Sequence, residues 1–523
     1  MRRRGDAAAA LVSRVDSGRR TRREALRGRL AVFAAALGEA PSPGRTTIDL
    51  VEQAIRVLRP IDGRPDPSKI WLLHAVLAAR FPAPDMIVQA TRRARLDGPE
   101  AAIALALDHA LDRSLNIAPD AVLSQEIPDD MGWPQVEVVT GEIIVDLHHT
   151  ARTRLATGIQ RVARESARRW SRDHDPVFVQ WGGRGTSMHR LTTAEVAAAL
   201  SGEGMSDDAD PADPTVLIPW NCRYLLPEVA VERNRVRALT AMLRFSGTTG
   251  GSIGFDCVPM TSNETVNIEV GGFFAYGMSV TRHLDRVATI SEGAGVEYAG
   301  WRTILSGTGV EGPEIRAVPL AVEARKATPE ARAQVAEELG LPSIPMVLVV
   351  GSHEPRKNHL AVLHAAELLW RKGYRFHVVF VGGQSWRSDE VRGRVAELRA
   401  GGRLVDSVTA LPDDQLWAAY EMADVVLFPS LNEGFGLPVA EALATGTPVI
   451  TSRFGPMAEI AAHGGALFVD PRDDHDLAEA LARFLDDPDL RARLRAEAER
   501  SPTRTWDDYA AEVWAYLAAD AAR

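Results

Sequence analysis

The sequence predicts an α/β protein with two doubly wound parallel sheets facing a cleft, preceded by an extra helical region. Three observations carry this. Short apolar segments alternate with helical ones in two successive runs, one from Glu142 and one from about Pro345, and each run suffices for one open parallel sheet. Several of these segments are apolar at every position, as strands buried on both faces are. Ahead of both runs the spacing is helical, with almost no strand signal.

A chain of 523 residues exceeds one ordinary core and implies about three domains. A hydrophobic fraction of 46% and a charged fraction of 25% are those of a globular protein. The net charge of −10 argues against nucleic acid as a partner. Two distant cysteines, Cys222 and Cys257, exclude a disulfide framework or a cysteine-rich zinc site and suit a reducing, cytoplasmic setting. No apolar run approaches the roughly 20 residues that span a bilayer, and "AAAALV" is too short for a signal-peptide core.

Residues 1–135 read as a helical extension. "KIWLLHAVLAARF" and "EAAIALALDHALD" carry apolar residues every three to four positions, with breaks at Pro60–Gly63, Pro82–Pro84 and Gly98–Pro99. Within it, residues 1–30 form a basic arm with arginines at 2, 3, 4, 14, 19, 20, 22, 23, 27 and 29. The arm reads either as a solvated terminus or as a peripheral contact with anionic lipid on the inner face of a membrane, at about 1 kcal/mol per basic residue.

Residues 136–322 read as an N-terminal Rossmann-like domain, with strands at "EIIVDL", "PVFVQWG", "PTVLIPW", "GSIGFDCVP", "RVATIS" and "IRAVPLAV". Residues 323–505 open on the polar stretch "EARKATPEARAQVAEELGL" and read as a second such domain. Its strands lie at "MVLVVGS", "RFHVVFVGG", "RLVDSV", "DVVLFPS", "PVITS" and "ALFVDP". Residues 506–523 read as a packing helix. The ligand belongs where the strand C-termini of both sheets face each other.

Two loops of the second domain carry the chemistry. In "VVGSHEPRKNHL", Gly351 and Ser352 end a strand and Arg356 and Lys357 precede a helix. Two cations at such a turn are placed to neutralise a diphosphate. In "LNEGFGLPVAEALATG", Glu433 enters a turn made by Gly434 and Gly436, and Glu441 follows one turn into the next helix. Glycine lets the backbone approach a ligand near helix amides, and two carboxylates on one ligand suit paired sugar hydroxyls. The aspartates of "PRDDHD" and "LDDPDL" stand at helix starts and read as caps rather than metal ligands. His148-His149 stands at a strand end, as a ligand or as a donor or acceptor contact, and Glu459 as a cap or an orienting group for the glutamate loop.

Together "GSHEPRKNH", "VGGQSW", "PDDQLWAAYEMADVVLFPSLNEGFGLPVAEALATGTPVITS" and "ALFVDPRD" resemble family 4 of the retaining, nucleotide-sugar-dependent glycosyltransferases, which have the GT-B fold. The resemblance is dense from about Pro345 to Pro471 and reaches back weakly to "DLHHTARTRLATGIQRVARE" at Asp146. It implies that Glu433 contacts hydroxyls of the transferred sugar, with the backbone of Phe435, Gly436 and Leu437 near sugar and phosphates. It implies that Glu441 binds the ribose diol, that Lys357 with Arg356 holds the diphosphate, and that Gly158 lets an N-domain loop approach the donor. It also places Gly351 and Ser352 along the donor site, and implies that the helix of residues 506–523 crosses back to the N-domain.

Two positions depart from the family pattern. Gly351 stands where many members have an arginine, and Phe255-Asp256 where many have histidine before aspartate; Asp256 is the N-domain candidate for catalysis, with a capping role as the alternative. The expected donor is a nucleotide diphosphate sugar, with mannose from GDP-mannose as the first choice because the "EPRKN" subgroup resembles mannosyl- and rhamnosyltransferases. The acceptor is a saccharide or a lipid-linked saccharide, and no metal or other cofactor is expected. The rival readings are a catalytically weak scaffold subunit and a nucleotide-sugar epimerase of the same fold.

Overall fold

The computed structural model describes the chain except for residues 1, 14–19, 40–43, 61, 112–133, 154–156, 183, 204–210, 340–342, 384, 386–387 and 520–523. Arg14 and Arg19 of the basic arm, Gln384 and Trp386 of "VGGQSW", and residues 154–156 of the N-domain loop therefore lie outside the described residues.

Six helices come first: α1 (Arg2–Ser13), α2 (Arg20–Ala36), α3 (Thr47–Val57), α4 (Pro67–Ala78), α5 (Pro84–Asp97) and α6 (Pro99–Leu111). Local signals start them. Thr46 and Asp49 form a capping box on α3, and Asp66 caps α4 just ahead of Pro67, which satisfies amides that a helix start leaves unpaired. Ile70 to Leu77 of α4 are all buried, as a helix apolar on every side must be. The basic arm is not wholly solvated. Arg29 is buried and donates to the carbonyls of Leu77 and Pro134, and burial pushes its pKa down to about 10.

The strands are β1 (Val136–Thr140), β2 (Ile143–Asp146), β3 (Val177–Gly182), β4 (Ser187–Arg190), β5 (Val216–Trp220), β6 (Arg223–Leu226), β7 (Thr249–Gly254), β8 (Arg286–Thr289) and β9 (Glu314–Ala317) in the first half. The second half has β10 (Met346–Val350), β11 (His377–Val381), β12 (Val405–Val408), β13 (Val425–Phe428), β14 (Val449–Ser452) and β15 (Ala466–Val469). The first sheet runs β4-β3-β2-β6-β7-β8-β9 and the second β12-β11-β10-β13-β14-β15. All their pairs are parallel except β3–β4.

The strands β1 and β5 pair separately, parallel to each other. Each is parted from β2 or β6 by two residues, the first at positive φ: Gly141 (74°) and Asn221 (53°). The Gly141 amide bonds the Asn221 carbonyl at 3.2 Å, so both strands bend at the same level and continue as a flange against the helices.

Alternation along the strands divides the cores, because successive side chains point to opposite faces. Ile144, Val177, Val179, Trp181, Tyr224 and Leu226 join one core with α1–α6. Val145, Phe178 and Leu225 turn the other way, into a core that continues through Val318–Val322 to Leu348, Val379 and Val426 of the second sheet. The last helix, Trp506–Leu517, belongs to that second core and packs on α8 (Gly158–Asp173), β7 and β8. Trp170 Nε1 donates to the Ala510 carbonyl at 2.9 Å. Between β2 and α8 lies the short helix α7 (His148–Arg152). Among the described residues, no helix is long and apolar enough to cross a membrane.

Candidate functional site

Gly351 follows directly on β10, and its φ of 141° lies outside what side chains favour. A Cβ there would touch the Lys357 stem at 3.5 Å, an ordinary contact, so the backbone conformation rather than crowding calls for glycine. A 3-10 turn, Pro355–Lys357, carries both cations. Asn358 follows at φ 61° and donates through Nδ2 to the Pro471 carbonyl at 2.6 Å, which ties the turn to the loop after β15.

The second loop leaves β13 and meets the first. Glu433 Oε1 accepts from Lys357 Nζ at 2.6 Å and from Ser430 Oγ at 2.7 Å, while Oε2 accepts from Arg356 Nη1 at 2.5 Å. The Lys357 ammonium also stands 4.9 Å from the Phe428 ring centroid. Burial pushes the Glu433 carboxyl up, but Arg356 and Lys357 outweigh it and bring its pKa down to about 2. Burial lowers the Lys357 pKa against the pull of Glu433. Glu354 holds the far side of Arg356, 2.8 Å from Nε, and accepts from the Ser352 hydroxyl. Ser352 thus reaches the cations through Glu354.

Gly436 stands at φ 107° ahead of the helix Leu437–Ala444, with Pro438 in its first turn. The backbone of Phe435, Gly436 and Leu437 therefore forms the helix entrance. Glu441 lies in that helix and is buried; Tyr420 OH donates to Oε2 at 2.9 Å, and Arg161 Nη1 of α8 meets Oε1 at 2.7 Å. Arg161 comes from the first lobe, three residues after Gly158, whose Cβ would lie 3.5 Å from Leu437. The start of α8 in one lobe thus rests on the glutamate helix of the other.

Asp256 joins from β7. A Cβ on Gly434 would sit 2.5 Å from the Phe255 carbonyl oxygen and 2.9 Å from Asp256 Oδ2, so only glycine allows this approach of the lobes. Ser291 Oγ donates to the Gly434 carbonyl at 2.6 Å. Burial first, then Glu433 and Glu297, raise the Asp256 pKa to about 6 against the pull of Arg356. Asp256 also caps, its Oδ1 accepting from the Val258 amide at 3.1 Å.

Lys357, Arg356, Glu433 and Asp256 are thus brought into one group, with Gly351, Ser352, Gly434 and Gly436 around it. Glu441 and Gly158 form a second group at the helix. Glu459 caps across the cleft: its carboxylate accepts from the amides of Glu292 and Gly293 at 3.1 and 3.2 Å. Asp473 and Asp487 cap helices, accepting from the amides of His475 and Leu490. Sequence reading missed Arg161, Tyr420, Ser430 and Ser291. Only Arg161 left a signal, its place in "TGIQR"; Tyr420 and Ser291 became partners through the tertiary fold, and Ser430 through the path of its own loop.

Two facing Rossmann-like domains with strand C-termini meeting in a cleft define the GT-B class. Two structures of Anabaena HepE, in complex with UDP and with UDP and glucose, superpose on 72% of this chain with a TM-score of 0.51, at 14% and 13% identity, and cover 100% and 99% of their own chains. Residues 334–501 match the family model described as glycosyl transferases group 1. A D-inositol 3-phosphate glycosyltransferase of Corynebacterium efficiens is 37% identical over 177 residues, 32% of this chain and 42% of the relative. An MMP alpha-(1->4)-mannosyltransferase of Mycolicibacterium hassiacum is 28% identical over 247 residues, 46% of this chain and 56% of the relative. The matches span 42–51% of the length of the first four curated relatives.

Proposed function

We propose that this chain is a retaining glycosyltransferase that moves a hexosyl group from a nucleoside diphosphate sugar to a hydroxyl of a saccharide or lipid-linked acceptor. One observation carries the reading: Glu433 is held by two cations and a hydroxyl in a glycine turn, at the meeting point of both lobes. An incoming diphosphate competes for Lys357 and Arg356, and the carboxylate it displaces becomes free to accept from sugar hydroxyls. As the anomeric C–O bond breaks, negative charge grows on the departing diphosphate. The acceptor oxygen bonds the anomeric carbon from the same face and its proton passes to the departing oxygen. Fixed cations and helix amides aimed at that charge supply the largest catalytic effect. Glu441 binds the ribose, and its bond to Arg161 opens for the nucleotide. Mannose is the donor sugar we favour, in line with the mannosyltransferase among the relatives.

A thermal-shift panel of GDP, UDP, dTDP and their sugar conjugates tests this. A nucleotide at about a hundred times its dissociation constant adds roughly 2.7 kcal/mol of stability. One base stabilising the wild type, and much less so Glu441→Ala, supports the reading. A flat panel refutes it in favour of a scaffold role.

A further inference from the structure

A second polar group lies on the first sheet, apart from the cations. Arg235 is fully buried and meets Asp146 Oδ2 at 2.9 Å, Glu228 Oε1 at 3.2 Å and Glu232 Oε2 at 3.3 Å. Asp146 accepts from the His148 amide at 3.0 Å, from Trp181 Nε1 at 2.6 Å and from the Tyr224 hydroxyl. Glu228 accepts from the amides of His149 and Thr150 at 2.7 and 3.0 Å and from the Thr150 hydroxyl at 2.9 Å. Such ions are costly to remove from water unless they are paired and hydrogen-bonded, as they are here. What the network holds in place is His148 and His149, just past the end of β2, and Glu232, past the end of the neighbouring β6. The next strand, β7, leads to Asp256, so the group lies on the same strand-end edge as the candidate catalytic site.

The ring chemistry narrows what it binds. His148, His149 and Glu232 offer ligand atoms within 4.8 Å of one another, a spacing that would also suit a metal. His148 Nδ1, however, accepts the Trp181 amide at 3.1 Å, so the neutral ring carries its proton on Nε2. A metal-bound imidazole shows the opposite pattern, donating its other N–H to an acceptor. Burial, helped by Arg235, lowers the His148 pKa to about 3 and keeps the ring neutral. His149 Nε2 stands 2.7 Å from Glu232 Oε1. Burial lowers its pKa, but the bond to Glu232 and the charge of Glu228 outweigh this and raise it overall. Side by side, a partly exposed N–H donor and a partly exposed carboxylate match a vicinal diol, whose hydroxyls both donate and accept.

We propose that His148, His149 and Glu232 form a polyol subsite, His148 Nε2–H donating to one hydroxyl and Glu232 accepting from its neighbour. Its role as the acceptor subsite rests on the glycosyltransferase reading; the binding itself does not. The test is histidine-ring NMR on the whole chain labelled with ¹⁵N-histidine, with His148→Gln and His149→Gln to assign the signals. The expected result is a His148 ring protonated at Nε2. Adding myo-inositol or methyl α-D-mannopyranoside then moves both ring signals in the wild type and at least tenfold less in Glu232→Gln at equal concentration. Ring signals that ignore both polyols, or that respond instead to stoichiometric zinc chloride, overturn the proposal. A nucleotide response in the thermal-shift panel without a polyol response leaves the donor reading standing and removes the subsite. A polyol response without a nucleotide response does the reverse.

Discussion

At the scale of single residues, the site is a balance of buried charges around Glu433. Lys357→Ala removes one of its two cations and, in the proposed reaction, one donor to the departing phosphate. A charge-assisted hydrogen bond is worth roughly 1.5–3 kcal/mol, so kcat should fall by about one to two decades, measured as initial transfer rate with the fold checked by thermal melting. Asp256 has a pKa raised to about 6, above its unfolded value of about 3.9. Below pH 4 both states hold the proton. As pH climbs toward 6 the unfolded chain releases it first, so the stability gained from this group is lost across that window. Asp256→Asn should flatten that slope by at most roughly 2–3 kcal/mol, read from melts of both proteins between pH 4 and 6. The glutamate pair and the two cations were legible because glycine turns and charged residues at strand ends are local patterns. The roles of Arg161 and Tyr420 were not, since their partner Glu441 lies 280 and 21 positions away; Ser430 stands only three positions before Glu433, but a serine in a turn carries no mark of its own.

At the scale of elements, the last helix shows how a local pattern acquires a distant role. Its aromatic residues at helical spacing announced a packed face, and Trp506, Tyr509, Val513 and Leu517 are buried. The surface they cover belongs to α8, β7 and β8 of the first lobe. Leu517 is fully buried, and its Cδ2 would lie 3.1 Å from a Cβ on Gly251. Leu517→Ala should cost about 2–5 kcal/mol, seen as a lower urea midpoint without a change in slope. Most parallel strands were readable from continuous apolar runs. The strands β1, β4 and β6 were not. β4 reads "SMHR", which carries no apolar run, and the antiparallel pairing to β3 is what makes it a strand. β1 and β6 are parts of two long strands bent together at Gly141 and Asn221, a feature that exists only when both are paired.

At the scale of the whole molecule, the helices ahead of the two sheets are more than an appendage, because they share a core with one face of the first sheet. Trp181, Val179, Met188 and Leu217 are all buried in it. A chain beginning at residue 135 would leave that face exposed, and an apolar patch of this kind drives association. It should elute as an aggregate in size-exclusion chromatography, whereas the chain of residues 1–523 should not. The sequence by itself determined the two alternating runs, the buried parallel strands, the helical lead and the glycine-flanked carboxylates. Each of these is a matter of periodicity or of neighbours within a few positions. Only the tertiary structure decided that the helices cover the first sheet, that Gly434 meets Phe255 and Asp256, that Arg161 closes on Glu441, and that buried Arg235 fixes His148 and His149. Those contacts join residues tens to hundreds of positions apart, and packing rather than local propensity selects them.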